Sequence, residues 1–131
     1  MHRARRASDR VRERAERELS RLLPALAAEM PLRRALAFGS FARGDMHELS
    51  DLDLLLVGDF QEPPRLRERA VREIAWRLGI ETPLDVVAAT AAGLEAGRER
   101  PFLDAILAET VELALPRRDG GPAAPGDEPH I

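Results

Sequence analysis

Apolar residues recur at helical spacing between residues 8 and 23, where Val11, Ala15, Leu19, Leu22 and Leu23 share one face and Arg and Glu fill the other. This pattern predicts an amphipathic first helix. Pro24 lacks an N–H and crowds the preceding turn, so the pattern predicts a kink or restart there and an end at Pro31. Residues 32–38 then form a short run that ends apolar and passes into Gly39-Ser40, the signature of a strand entering a turn. From Asp51 to Val57 the chain reads Asp-Leu-Asp-Leu-Leu-Leu-Val and stops at Gly58-Asp59, which suits a strand covered on both faces. Pro63-Pro64 opens a second long helix with Val71, Ile74, Ala75 and Leu78 on one face, ended by Gly79. Thr82–Ala89 reads as a third strand. Pro101 begins a last helix carrying Phe102, Ile106, Leu107, Val111 and Leu113. The predicted order is α-β-β-α-β-α, with room for a short helix after Ser40.

Length and composition narrow what this order can do. At 131 residues the chain fits one domain, read as residues 1–115, and the Gly, Pro and charge of 116–131 predict a disordered tail. There is no cysteine, which excludes disulfides, thiolate nucleophiles and cysteine-ligated metals. All twenty basic residues are Arg, which excludes a lysine Schiff base or a P-loop lysine. The net charge of −3 argues against an extended nucleic-acid surface. No run approaches the roughly 20 apolar residues of a membrane span, and no signal peptide is visible, so a cytoplasmic protein is expected.

Candidate chemistry concentrates at the mouth of the second strand. Asp51 and Asp53 are two residues apart, so on a strand they point the same way with Cα atoms about 6.6 Å apart. Carboxylates so placed repel one another unless a cation holds both ionised, and the hard, oxygen-seeking Mg²⁺ is the natural guest. Just upstream, Gly39 permits close backbone approach, Ser40 supplies a hydroxyl at a helix-capping position, and Arg43 can add a forked donor to a phosphate resting there. Asp85, among Leu84, Val86 and Val87, joins the other carboxylates if its strand lies beside theirs. The competing readings are modest: Asp51 and Asp53 as caps of nearby N–H groups, Asp85 in an ordinary salt bridge, and Gly39-Ser40 as a plain turn. His47 reads as a solvated loop residue, and the Arg/Glu pattern of residues 9–21 as a solvated helix face. Trp76 falls almost opposite the apolar stripe of its helix and is either an interface anchor or folded over the edge into the core.

Gly39-Ser40, ten intervening residues, Asp51-Leu52-Asp53 and Leu54-Leu55-Leu56-Val57 together resemble the signature of the minimal nucleotidyltransferases of the DNA polymerase β superfamily. The resemblance extends through Ala42-Arg43-Gly44, Ser50 and Leu84-Asp85-Val86-Val87, and covers roughly residues 10–115. It implies an α/β (α+β) fold, a small mixed sheet flanked by helices, working with two Mg²⁺ ions and ATP. It implies that Asp51 and Asp53 bind the metals, that Asp85 ligates the catalytic one and helps deprotonate the acceptor, and that Gly39 and Ser40 hold the triphosphate. It further implies an antitoxin-like partner of an all-helical HEPN toxin, with AMP transferred to a hydroxyl of that partner. A non-catalytic antitoxin acting by contact, or transfer to a small hydroxylated molecule, are the alternative functions. The oligomeric state is left open.

Overall fold

The computed structural model describes residues 2–97 and 108–116. Its elements in chain order are α1 (His2–Glu29), β1 (Leu32–Phe38), α2 (Ser40–Arg43), β2 (Leu52–Gly58), α3 (Pro64–Arg77), β3 (Leu84–Ala89), α4 (Ala91–Ala96) and β4 (Thr110–Leu113). The four strands form one mixed sheet in the order β3-β2-β1-β4. β1 is antiparallel to both β2 and β4, whereas β2 and β3 run parallel. The three strands expected from the sequence therefore share one sheet.

The sheet has two unequal faces. Alternate β2 residues Leu52, Leu54 and Leu56 join Ala15, Leu19, Leu22 and Leu26 of α1 and Val71, Ile74 and Ala75 of α3 in the main core. The intervening residues point the other way, where Leu36, Leu55 and Val57 form a small second cluster flanked by Phe38, Val87, Ala89 and Leu94 of α4. Leu52, Leu54, Leu55 and Leu56 are all essentially inaccessible, so the apolar run is covered on both sides as its composition predicts.

Three expectations are corrected. Of the kink or restart expected at Pro24, the restart is overturned: α1 continues to Glu29 with the proline inside it. Pro24 and Ser20, the residue four positions earlier whose carbonyl loses its donor, both lie on the solvent face, where water can replace the missing hydrogen bond. Val111 and Leu113 belong to β4 and not to a helix, for Val111 pairs with Ala37 and Leu113 with Ala35. Phe102, Ile106 and Leu107 lie outside the described residues, as does the expected tail beyond Pro116. Nor is the charged pattern of α1 wholly solvated. Glu18 is 7 % exposed and accepts hydrogen bonds from the Glu81 N–H at 2.7 Å, the Thr82 N–H at 3.0 Å and the Thr82 hydroxyl. Burial pushes its carboxyl up, but those three donors and nearby Arg14 outweigh it and leave the group below its ordinary range. Glu18 thereby fastens the turn that launches β3.

Candidate active site

The site is built where the C-terminal end of β1, the N-terminal end of β2 and the N-terminal end of β3 lie side by side. Phe38 pairs with Asp53 across the antiparallel ladder, and Asp53 pairs with Asp85 across the parallel one. Residues in register on neighbouring strands stand about 4.8 Å apart and project to the same face. Asp53 and Asp85 consequently share the face of the smaller cluster, and Asp51, two residues before Asp53, lies just ahead of β2 on the approach to it. Asp51 and Asp85 are exposed, while Asp53 is partly buried between them.

Electrostatics report the same convergence. Burial pushes the Asp53 carboxyl above its ordinary value, the charges of Asp85 and then Asp51 push it further, and Arg43 pulls it partly back. Asp85, Asp51 and Arg43 thus all lie close enough to act on Asp53. Arg43, at the end of α2, is exposed, with Nε 3.3 Å from Asp45 Oδ2 and Nη1 3.9 Å from Glu109 Oε1. It forms the cationic rim of an acidic site.

Gly39 makes this packing feasible. Its φ of 69° lies in the left-handed region, and a β-carbon there would sit 2.1 Å from Asp53 Oδ2. The space beside Gly39, expected from the sequence to admit a ligand against the backbone, is bordered by the Asp53 side chain. Gly39, and not Ser40, is the N-cap of α2, without a side-chain cap bond; Ser40 is the first helical residue, half-buried at the end of β1. The turn closes through the Arg43 N–H to the Gly39 carbonyl at 3.0 Å and the Gly44 N–H to the Ser40 carbonyl at 3.0 Å.

Two supporting residues carry no local sequence signal. Arg12 of α1 donates from Nη1 to the Phe41 carbonyl at 2.7 Å and lies 4.2 Å above the centre of the Phe41 ring. This pins buried Phe41, and with it α2, against the first helix. Met46 is 2 % exposed and inserts into the main core, anchoring the loop before Asp51. His47 is a solvated loop residue as expected, with its Nδ1 accepting the Leu49 N–H at 3.2 Å and its own N–H donating to Ser50 Oγ at 2.9 Å.

Among the described residues no three Asp, Glu or His side chains already stand as a cage around one ion. The donor set nevertheless fits Mg²⁺. That ion takes one or two carboxylates, completes its octahedron with water and substrate phosphate, and needs no all-protein cage. A half-buried Asp53 whose proton affinity is raised by burial and by the charges of Asp85 and Asp51 is also the environment a divalent cation relieves.

A small mixed sheet thus gathers carboxylates at one end of a parallel strand pair, beside a Gly-Ser turn. The chain belongs to the nucleotidyltransferase domain family, whose sequence profile matches residues 14–112. No curated protein matches it. Among solved structures it is similar to a candidate nucleotidyltransferase from Sulfolobus solfataricus, with 22 % identity, coverage of 90 % of each chain and a TM-score of 0.49. It is also similar to a toxin–antitoxin structure with AMP-PNP, at 18 % identity over 83 % of this chain and 77 % of that one, TM-score 0.47. A mutant of the toxin–antitoxin pair MntA-HpeT gives 19 % identity over 80 % and 76 % of the chains, TM-score 0.48.

Proposed function

We propose that this protein is a Mg²⁺-dependent nucleotidyltransferase that moves AMP from ATP to a hydroxyl of a partner protein. The observation that carries the reading is the parallel register of Asp53 with Asp85, which sets their carboxylates on one face beside Asp51 and the Gly39-Ser40 turn. In this reading Asp51 and Asp53 would hold the two ions and Asp85 would share one of them. The bound metal would neutralise triphosphate charge and favour ionisation of the acceptor hydroxyl.

The chain's own residues do the rest. The Gly39-Ser40 turn receives the triphosphate, with Arg43 at the rim as an additional donor to a phosphate oxygen. Asp85, the more exposed of the two paired carboxylates, accepts the proton from the acceptor hydroxyl at a carboxylate oxygen. The acceptor oxygen forms a bond to the α-phosphorus as the bond from that phosphorus to the bridging oxygen breaks, and pyrophosphate leaves with that electron pair. The described residues include no separate acceptor-binding domain, so the acceptor supplies most of its own contact surface. A partner of the HEPN toxin type is the acceptor implied by the sequence resemblance.

The test is incubation with labelled ATP, Mg²⁺ and the product of the adjacent reading frame. The parent should transfer an AMP-sized label to that protein and small hydroxylated compounds alone should be poor acceptors, because remote contacts hold the hydroxyl in line. Asp85→Asn should retain most nucleotide binding and lose transfer by orders of magnitude. Equal labelling by the Asn variant would refute the role of Asp85, and silencing of the partner without any mass change would favour an antitoxin acting by contact.

A further inference from the structure

We propose that the outer face of α3 is a docking surface for an acidic amphipathic helix of a partner protein. Arg65, Arg69, Arg72 and Trp76 follow one another at spacings of four, three and four residues, which places them in a single line along the helix. The opposite side of α3, with Val71, Ile74 and Ala75, is buried in the main core. Trp76 is 85 % exposed, and it is the chain's single tryptophan. A tryptophan ringed by arginines has the composition of an interface anchor, since burying its large ring gains most when a partner desolvates it.

Charge selects the occupant. The shallow surface around Trp76 is formed by Arg65, Arg69, Arg72 and Arg77, together with Glu68 and Glu73. Four positive and two negative charges leave it at +2 on a chain whose net charge is −3. Arg72 donates to the Leu84 carbonyl and Arg77 pairs with Glu29, but the side chains of Arg65 and Arg69 have no ion pair or hydrogen bond among the described residues. Two guanidinium groups therefore face outward, spaced one helical turn apart beside an indole. A helix with carboxylates four residues apart, flanking an apolar seam, would meet both.

A second copy of this chain is a poor match. Packed antiparallel about the centre of the stripe, Arg65 would face Trp76, but Arg69 would oppose Arg72 and Glu68 would oppose Glu73, so like charges meet across the middle of the contact. Nucleic acid is also disfavoured, because Glu68 and Glu73 border the stripe and would repel a continuous phosphate backbone. The surface lies across the sheet from Asp53 and Asp85, and the proposal does not depend on the nucleotidyl-transfer reading.

Trp76 supplies its own readout, because all tryptophan fluorescence of the protein comes from this position. The protein would be titrated with three probes: a synthetic amphipathic peptide of Glu and Leu, its Lys and Leu counterpart, and a short oligouridylate. The acidic peptide should shift the emission to the blue in a saturable manner that weakens with added salt. The double substitution Arg65→Glu and Arg69→Glu, at exposed positions, should weaken that binding by about tenfold or more. Its unchanged circular dichroism and melting temperature would show that the fold is intact. Absence of a shift with the acidic peptide, an equal shift with the basic peptide, binding retained in the double variant, or a response to the oligonucleotide in place of the acidic peptide would each overturn the proposal.

Discussion

Gly39 and Asp53 occupy one another's space: a β-carbon on the glycine would fall 2.1 Å from the aspartate's Oδ2, 3.1 Å from its Cγ and 3.5 Å from its Cβ. The contact joins the turn after β1 to the central strand. Gly39→Ala should therefore both strain a positive φ, at about 1–2 kcal/mol, and displace the Asp53 carboxylate. Denaturant unfolding should show that loss, and pairing the substitution with Asp53→Ala should recover the steric part alone, since 3.5 Å between β-carbons is an ordinary contact. Undiminished stability in Gly39→Ala would contradict the geometry.

Asp53→Asn is expected to stabilise the metal-free protein at neutral pH. Burial and the charges of Asp85 and Asp51 raise the folded-state pKa of Asp53, so its contribution to stability is full below the ordinary value of 3.8 and is lost as pH rises through the folded value. Above that point the ionised group is a liability that Asn removes, by at most about 1 kcal/mol after solvent screening. Calorimetric melting temperatures should rise in the variant at pH 7, and the gain should shrink toward pH 3. Mg²⁺ should stabilise the parent more than the variant.

Glu18→Gln should act in the opposite sense. The parent carboxylate lies below its ordinary value of 4.5, so its contribution is present above that pH and lost as pH falls through the folded value. Gln weakens acceptance from the Glu81 N–H and from the buried Thr82 N–H and hydroxyl, a loss of about 1–3 kcal/mol at neutral pH. Unfolding curves for the two proteins should converge in acid, and a gap independent of pH would argue against an ionised Glu18.

Arg12→Ala should free α2 from α1. It deletes the 2.7 Å bond to the Phe41 carbonyl and the stacking on the Phe41 ring, together about 1–2 kcal/mol. Amide exchange at residues 41–45 should accelerate while β2 and β3 remain protected. Uniform acceleration throughout the sheet would instead mean that Arg12 supports the whole fold.

How far the sequence could be read depended on whether a residue's partner was local. β2 was legible because four consecutive apolar residues ending at glycine have few other uses, and α3 because its apolar stripe is regular between Pro64 and Gly79. β4 was not, because Val111 and Leu113 continue the spacing of the preceding apolar residues and reveal their strand character only through pairing with β1. Its bidentate link, Glu112 to Arg34 with bonds of 2.8 and 3.1 Å, spans 78 residues and leaves no trace in local spacing. The same holds for the site. The sequence offered Asp51, Asp53 and Asp85 as a set, and the parallel register brings the last two side by side, but only the folded chain reveals Arg12 and Glu18 as supports.

The inequality of the two sheet faces bears on how such a protein can change over generations. The side covered by α1 and α3 holds nearly all of the deeply buried apolar residues, whereas the acidic side rests on Leu36, Leu55 and Val57. The candidate site and the main core are thus built from different sets of side chains, and Asp51 and Asp85 are open to solvent. A descendant could lose its acidic residues by single substitutions and keep the same outline and the same α3 surface. Inactive copies of such a domain would then persist as scaffolds, and active ones could acquire new acceptors without rebuilding their interior.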